Sequence, residues 1–165
     1  MLAKTGVPSP KEIRRCLPAR ERRSAGPVAV IECLERIPCD PCQFLCPQGA
    51  IRPFANLNDL PRLDEERCTG CGACISGCPG LAIFVVDEGF SEAEALVKLP
   101  YEFRPVPEKG QEVWALDREG NRLCRAVVIA VRRNANLTNV ISLAVPKSLA
   151  ARVRNILPEE GLYGR

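Results

Sequence analysis

The sequence of 165 residues contains no histidine, and this absence excludes several kinds of site. It rules out Ser-His-Asp and Cys-His catalytic groups, zinc fingers of the two-cysteine, two-histidine type, Rieske centres and His-ligated haem. Aromatic residues number only eight, which argues against a surface that stacks nucleic-acid bases. Any metal must therefore be held by cysteine thiolates, carboxylates or backbone groups.

Long hydrophobic runs are also missing. No stretch approaches the roughly 20 apolar residues of a membrane-spanning helix, and the longest runs, 81–86 and 126–131, have the length of a strand. The first residues lack the apolar core of a signal peptide. We therefore expect a cytoplasmic protein without a membrane span, whose cysteines are reduced and serve metal or redox chemistry.

The net charge of +3 is too small to indicate nucleic-acid binding by the whole chain, but it is unevenly distributed. Residues 1–30 carry seven Lys or Arg and two Glu, and residues 1–27 also contain four prolines. We interpret 1–27 as an extended arm with one short helix over 9–17, which Ser9 caps and Pro10 begins. The arginine-rich face of this arm is either solvated or docked on an acidic partner.

Cysteine is what the sequence has in abundance, with ten residues, and part of the chain repeats at a constant offset of 32. The matched pairs are Cys39/Cys71, Cys42/Cys74, Cys46/Cys78, Pro47/Pro79, Ala50/Ala82 and Ile51/Ile83. Cys68 precedes the second copy, which then has the spacing C-x2-C-x2-C-x3-C-P. This spacing lets one loop wrap a four-iron cluster.

The repeat resembles the two-cluster bacterial-type ferredoxins over residues 28–87, about a third of the chain. In that family the fourth cysteine of each run binds the other cluster, so the resemblance implies two 4Fe-4S clusters with exchanged ligands. One cluster would be held by Cys68, Cys71, Cys74 and Cys46. The other would be held by Cys39, Cys42, Cys78 and a fourth ligand.

The first copy departs from the family pattern, because Arg36 stands where the counterpart of Cys68 is expected. Cys33 lies three residues earlier, and we expect it to supply the missing thiolate through a wider loop. The alternatives are Cys16, a ligand other than cysteine, or a three-iron cluster. Cys16 is otherwise interpreted, like Cys124, as a thiol without a ligand role.

Other uses of these cysteines remain open at this point. Zinc in two four-cysteine sites is the alternative metal, because C-x2-C pairs also bind zinc. Disulfides would need an oxidising compartment. A cluster with a purely structural role is a further alternative, although two interleaved clusters favour an electron relay. The chain has no dinucleotide fingerprint, no Walker motif and no catalytic group of its own.

The predicted fold class is α+β: a ferredoxin-like βαββαβ two-cluster unit, an N-terminal extended arm, and a C-terminal small antiparallel β-barrel or sheet with a terminal helix. The predicted boundaries are 1–27 for the arm, 28–99 for the two-cluster domain, 100–146 for the β domain and 147–165 for the C-terminal helix and tail. Strands are expected at 28–32, 81–86, 112–116, 122–133 and 138–145. Short helices are expected between the two cysteine runs, and a longer one over 146–156.

About 100 residues lie outside the ferredoxin-like unit, more than a diffusible carrier needs. We therefore interpret the protein as an electron-transfer subunit of a larger oxidoreductase hetero-oligomer. Flavoprotein subunits that hold FAD or FMN are the expected partners, because a flavin splits a two-electron oxidation into single-electron steps. The chain also resembles, more faintly, the small ferredoxin-type subunits of FAD-dependent amino-acid, amine or hydroxy-acid dehydrogenases. A free ferredoxin and a zinc-binding interaction module are the alternatives.

Overall fold

The computed structural model describes residues 5–158, which are organised around one seven-stranded antiparallel sheet. The strands are β1 Val28–Ile31, β2 Ile83–Asp87, β3 Glu94–Tyr101, β4 Glu112–Leu116, β5 Arg122–Arg132, β6 Asn139–Pro146 and β7 Asn155–Pro158. Their order across the sheet is β1-β2-β3-β6-β5-β4-β7. The fold class is α+β, as predicted.

The helices are short and lie at the N-terminal end and beside the cysteines. They are α1 Pro10–Cys16, α2 Arg20–Ser24, α3 Pro41–Leu45, α4 Ala73–Ser76 and a 3₁₀ turn at Lys147–Leu149. The capped helix predicted in the arm is confirmed as α1: Glu12 N donates to the Ser9 hydroxyl at 3.4 Å, and Ser9 N donates to the Glu12 carboxylate at 2.7 Å. This reciprocal pair is a capping box.

Strands β1 and β2 are buried on both faces, which is why their sequences are continuous apolar runs rather than alternating ones. One face, with Val30 and Phe84, belongs to the main core, which is formed by buried side chains of the sheet. The other face, with Ala29 and Val85, belongs to a smaller core that also holds most of the motif cysteines. We call this second cluster the cysteine-side core. The predicted strands at 28–32 and 81–86 are confirmed in position.

Between β1 and β2 the chain contains α3, an isolated antiparallel bridge that joins Ile51 to Leu63, and α4. The two inner strands of the predicted βαββαβ unit are thus reduced to this one bridge. The prediction of helices between the two cysteine runs is wrong, since residues 47–67 contain none. The helix α3 lies within the first cysteine run instead, because Pro41 occupies its first turn, where a missing N–H costs nothing.

Strand β3 was not predicted from the sequence, although its inward side chains Ala95, Val97, Leu99 and Tyr101 are all buried. Pro100 interrupts this alternation and conceals it. β3 pairs with β6 over eight residues and crosses the predicted boundary between 99 and 100. The β region is therefore not a separate barrel or sheet packed on the cysteine-containing part. It continues the same sheet.

The prediction of a helix over 146–156 is also wrong. A single 3₁₀ turn at Lys147–Leu149 is followed by β7, an edge strand paired with β4. Val153 and Ile156 are buried as expected, but Ile156 and Pro158 alternate with more exposed neighbours at the period of a strand. Residues 1–4 of the predicted arm and 159–165 of the predicted tail lie outside the described residues.

The N-terminal arm is folded onto the sheet rather than extended. Arg23 of α2 forms a half-buried ion pair with Glu88 at 2.6 Å, and Glu88 N donates to the Arg23 carbonyl at 2.8 Å. These contacts hold α2 beside the end of β2. In the part of the chain that the structure describes, no helix has the length and apolar character that crossing a membrane requires.

Candidate metal centre

Residues 68–78, which we call the second cysteine loop, follow a path that requires glycine. Gly70 has φ of +60°, and a Cβ atom at this position would lie 2.5 Å from Pro27 Cβ and 2.7 Å from the Pro27 carbonyl oxygen. Gly72 has φ of +79° and is the N-cap that precedes α4. Because α4 carries Cys74, these two glycines determine where that thiol lies.

The first group of predicted ligands lines one pocket. Its thiols belong to Cys46, Cys68, Cys71 and Cys74. Burial raises the pKa of Cys74 to about 12, and the charges of the other three thiols raise it as well. Three cysteines of the second run thus share a pocket with one cysteine of the first.

The second group forms around residues 33–46, which we call the first cysteine loop. Its thiols belong to Cys33, Cys39, Cys42 and Cys78. Burial raises the pKa of Cys42 to about 11, and the charges of the other three thiols raise it further. In this group, three cysteines of the first loop lie near one cysteine of the second.

The remaining two cysteines, Cys16 and Cys124, pack against a different core. Cys16 and Cys124 pack against the main core, whereas Cys33 packs against the cysteine-side core with the motif thiols. The Cys16 thiol lies 3.4 Å from the Glu12 carbonyl oxygen of its own helix and donates to it. Cys16 and Cys33 line the same pocket, so it is the core that each side chain packs against, and not distance, that distinguishes them.

Backbone amides point at the sulfur atoms from equivalent positions of the repeat. Ala50 N donates to Cys46 Sγ at 3.2 Å, and Ala82 N donates to Cys78 Sγ at 3.4 Å. Burial alone would raise the pKa of Cys46, but amides of residues 48–51 bring it below its ordinary value. Such hydrogen bonds stabilise the thiolate form that binds metal. The repeat therefore reproduces a sulfur environment as well as a spacing.

The donor set fits a thiolate-held iron–sulfur cluster better than a single ion. Tetrahedral zinc requires four ligand atoms around one point, yet among residues 5–158 no three His, Cys, Asp or Glu side chains form such a group. A cubane spreads its ligands, since each thiolate binds a different iron. Cys46, Cys68, Cys71 and Cys74 could hold one cluster, and Cys33, Cys39, Cys42 and Cys78 the other.

Carbonyl groups of the second cysteine loop are bound by basic side chains from distant parts of the chain. Arg22 Nη2 in α2 donates to the Cys68 carbonyl oxygen at 2.6 Å. Lys98 Nζ in β3 donates to the Gly70 carbonyl oxygen at 2.7 Å. Sequence reasoning missed both contacts and interpreted the arginines of the arm as solvated or as a surface for an acidic partner.

Arg132, at the end of β5, completes this arrangement. Its Nη2 atom donates to the Gly72 carbonyl oxygen at 2.6 Å, and its Nη1 atom donates to the Cys71 carbonyl oxygen at 3.2 Å. No local motif signals this role, because the partners are 60 and 61 residues away in the sequence. Long-range contacts of this kind become visible only in the folded sheet.

A buried ion cluster lies beside the start of the first cysteine loop. Glu32 accepts from Arg118 Nε at 2.7 Å and from Arg154 Nε at 2.8 Å. Burial would raise the pKa of Glu32, but these two guanidinium groups hold it below its ordinary value. Arg154 also stacks over the Phe84 ring at 4.6 Å. The cluster ties the end of β1 to the β4–β5 turn and to the segment before β7.

Comparison with protein families identifies the segment that contains the second cysteine loop. Residues 61–84 match the family model described as 4Fe-4S binding domain. This segment is an iron–sulfur segment of the ferredoxin type. The matched 4Fe-4S segment ends within β2 and begins just before the bridge residue Leu63, so it includes Cys68, Cys71, Cys74 and Cys78. The first cysteine loop lies outside the match.

Curated relatives of the chain are ferredoxin-type proteins and oxidoreductase subunits. It is 43% identical over 56 residues to ferredoxin-type protein NapF of Haemophilus influenzae, covering 33% of this chain and 32% of that protein. It is 47% identical over 47 residues to a subunit of the ion-translocating oxidoreductase complex of Methanosarcina acetivorans, covering 28% and 17%. It is 30% identical over 85 residues to a subunit of the F(420)H(2) dehydrogenase of Methanosarcina mazei, covering 48% of each.

The chain thus spans between 17% and 48% of the length of these three relatives. No solved structure matches the chain significantly.

Proposed function

We propose that the protein is an electron-transfer subunit that relays single electrons through two 4Fe-4S clusters within a larger oxidoreductase. The observation that carries this proposal is the exchange of thiols between the two cysteine loops. Cys46 of the first loop lies with Cys68, Cys71 and Cys74 of the second loop, and Cys78 of the second loop lies with Cys33, Cys39 and Cys42 of the first. Exchanged ligands keep two clusters close together, as a relay needs and a purely structural role does not.

The proposed ligands are the two groups of four thiols described above. Cys33 is preferred to Cys16 as the eighth ligand because it packs with the motif thiols in the cysteine-side core. When bound, each cluster supplies a one-electron redox couple. The chain itself supplies thiolates, amide donors to Cys46 and Cys78, and apolar walls that limit water.

Partner subunits are proposed from the surface of the first cysteine loop. Phe44 is 77% exposed and Ile37 is 46% exposed, and both belong to this loop. Leu57, whose carbonyl oxygen accepts from Cys39 N at 3.2 Å, is 49% exposed. Exposed apolar side chains grouped at a redox site are typical of a protein interface. The relatives, named as subunits of oxidoreductase complexes, support the same proposal.

We propose flavoproteins as these partners, and the cytoplasm as the location, on chemical grounds. A flavin accepts electrons in pairs and releases them singly, which suits a carrier of single electrons. Free thiols are stable in the reducing cytoplasm. The dehydrogenase class, whether for amino acids, amines or hydroxy acids, belongs to the proposal in the same way.

Anaerobic purification of the untagged protein from its native cells tests the proposal. We expect about eight iron and eight acid-labile sulfide per chain, visible absorbance that bleaches with dithionite, and a co-purifying flavoprotein identified by mass spectrometry. Zinc in place of iron would overturn the electron-transfer role in favour of an interaction module. Full iron content in a monomer without any partner would support a free ferredoxin instead.

A further inference from the structure

We propose that Arg22, Lys98 and Arg132 raise the reduction potential of the cluster bound by the second cysteine loop above that of the other cluster. This inference rests on the proposed function, since it requires two clusters. It concerns side chains that lie outside the 4Fe-4S segment at 61–84. They come from α2, β3 and β5, which are separate elements of the fold.

The three side chains converge on the backbone of one loop. Between them they donate to the carbonyl oxygens of four of its first five residues, with distances between 2.6 and 3.2 Å. Arg22 is further fixed by the carbonyl oxygens of Glu65, Gly26 and Pro27. Its charge is therefore held in one place rather than spread over many rotamers.

Their charges act on the thiols of the pocket. Burial and the neighbouring Arg132 lower the pKa of Lys98. The Cys71 thiolate, the Asp87 carboxylate and the Cys68 thiolate act on that pKa in the opposite direction, so the ammonium group interacts with these sulfur atoms as well as with Asp87. Lys98 is half-buried, and its interaction is screened less by water than that of an exposed cation would be.

A cation beside a cluster favours its reduced state. Reduction adds one negative charge to the cluster and its thiolates, and a fixed positive charge stabilises that charge according to distance and dielectric. The potential consequently rises. Near Cys33 the situation differs, since Arg118 and Arg154 are both bound to the carboxylate of Glu32, which offsets part of their charge.

The two clusters would therefore be unequal acceptors. A single electron shared between them is held mainly at the second cysteine loop, which the sheet and α2 cover. An external one-electron donor would meet the first cysteine loop, which is exposed at Phe44 and Ile37. The transfer moves one electron from the first site to the second and involves no proton.

A redox titration of the purified holoprotein tests the inference. The protein is titrated anaerobically with dithionite and mediators, and each reduced cluster is followed by electron paramagnetic resonance. Lys98→Met should lower the reduction potential of one cluster. The equilibrium constant for transfer of the electron to that cluster should fall about tenfold, which corresponds to about 59 mV for a one-electron couple. Lys98→Arg should restore it. The reduction step that shifts is assigned to the second cysteine loop if the same step is lost or altered in the Cys71→Ser variant.

Arg122→Met is the matched control, because Arg122 is an exposed cation on the same strand as Arg132. The two positions are ten residues apart, roughly 33 Å along a strand. We expect both potentials to stay as in the wild type. If Lys98→Met loses its clusters, Arg132→Met gives the same test with a smaller shift in the same direction, since Arg132 is exposed.

Iron and sulfide are counted on the wild-type protein first. A wild type without two clusters overturns the proposed function and this inference together. Two clusters whose potentials move no further in Lys98→Met and Arg132→Met than in Arg122→Met overturn the inference alone.

Discussion

The first cysteine loop faces outward, whereas the second packs against the rest of the chain through Cys74 and Ile75, although its Cys71 is exposed. Phe44 of the first loop is 77% exposed, while Ile75 of the second is completely buried. The first loop is wide and contains α3, and the second is narrow and depends on glycine at Gly70. One repeated pattern thus occurs in two surroundings, and the surroundings, rather than the spacing, distinguish the two sites.

The largest effect on this comparison is expected from Gly70→Ala, which disrupts the second cysteine loop. The new methyl group would collide with Pro27 and occupy a left-handed backbone conformation, at a cost of about 3 kcal/mol. We expect loss of the second-loop cluster, seen as about four fewer iron per chain, and a lower denaturation midpoint.

Gly80→Ala is the matched control for this change. Gly80 follows the same run of cysteines, but a Cβ atom there meets nothing within 4 Å. We expect its free energy of unfolding to stay within about 0.5 kcal/mol of the wild type. A Gly70→Ala protein with full iron content would show that the loop tolerates a different path.

The next largest effect is expected from Cys33→Ser, which removes the proposed fourth ligand of the outward site. About half of the iron should be lost, while the other cluster keeps its spectrum. Cys16→Ser and Cys124→Ser should keep the full iron content, since these residues pack against the main core. Iron analysis of the three variants decides the matter, and an unchanged count in Cys33→Ser would reject this residue as a ligand.

A smaller effect is expected from Arg22→Gln, which removes a cation that fixes the second cysteine loop. Arg22 hydrogen-bonds to four backbone carbonyl groups, and losing them should cost about 2 kcal/mol of unfolding free energy. Arg36→Gln on the outward loop is the comparison. Its ion pair with Asp59 spans 3.4 Å, and the Arg36 side chain is 69% exposed, so its loss should cost below about 0.5 kcal/mol.

Chemical denaturation of the holoproteins measures both arginine variants. Equal costs for the two would contradict the view that only the second loop is held by the rest of the chain.

The smallest effect on the isolated protein is expected from Phe44→Ser, which alters only the outward surface. The free energy of unfolding should stay within about 0.5 kcal/mol of the wild type, because the ring is already in water. The iron content should be unchanged within experimental error. Retention of the proposed flavoprotein partner during native purification should fall. Undiminished co-purification would show that partners bind elsewhere on the protein.

The sequence was most informative where the signal was local. The repeat at offset 32 located the two runs of cysteines, the resemblance to ferredoxins implied the exchange of ligands between them, and β-branched runs predicted β4 and β5. The potential-setting cations were not predictable, because Lys98 and Arg132 meet the cysteine loop through strand pairing with partners far away in the sequence. The spacing of Val153 and Ile156 suited one face of a helix, whereas residues 155–158 form a strand because they pair with β4.

The two-sided burial of β1 and β2 has a consequence for anyone who would shorten this protein. A fragment limited to residues 28–87 would keep every motif cysteine but leave Val30, Phe84 and Val86 facing water, since their partners belong to later strands. Such an uncovered apolar surface favours aggregation. The redox part of the molecule is therefore not a detachable module, and its scaffold has to be expressed with it.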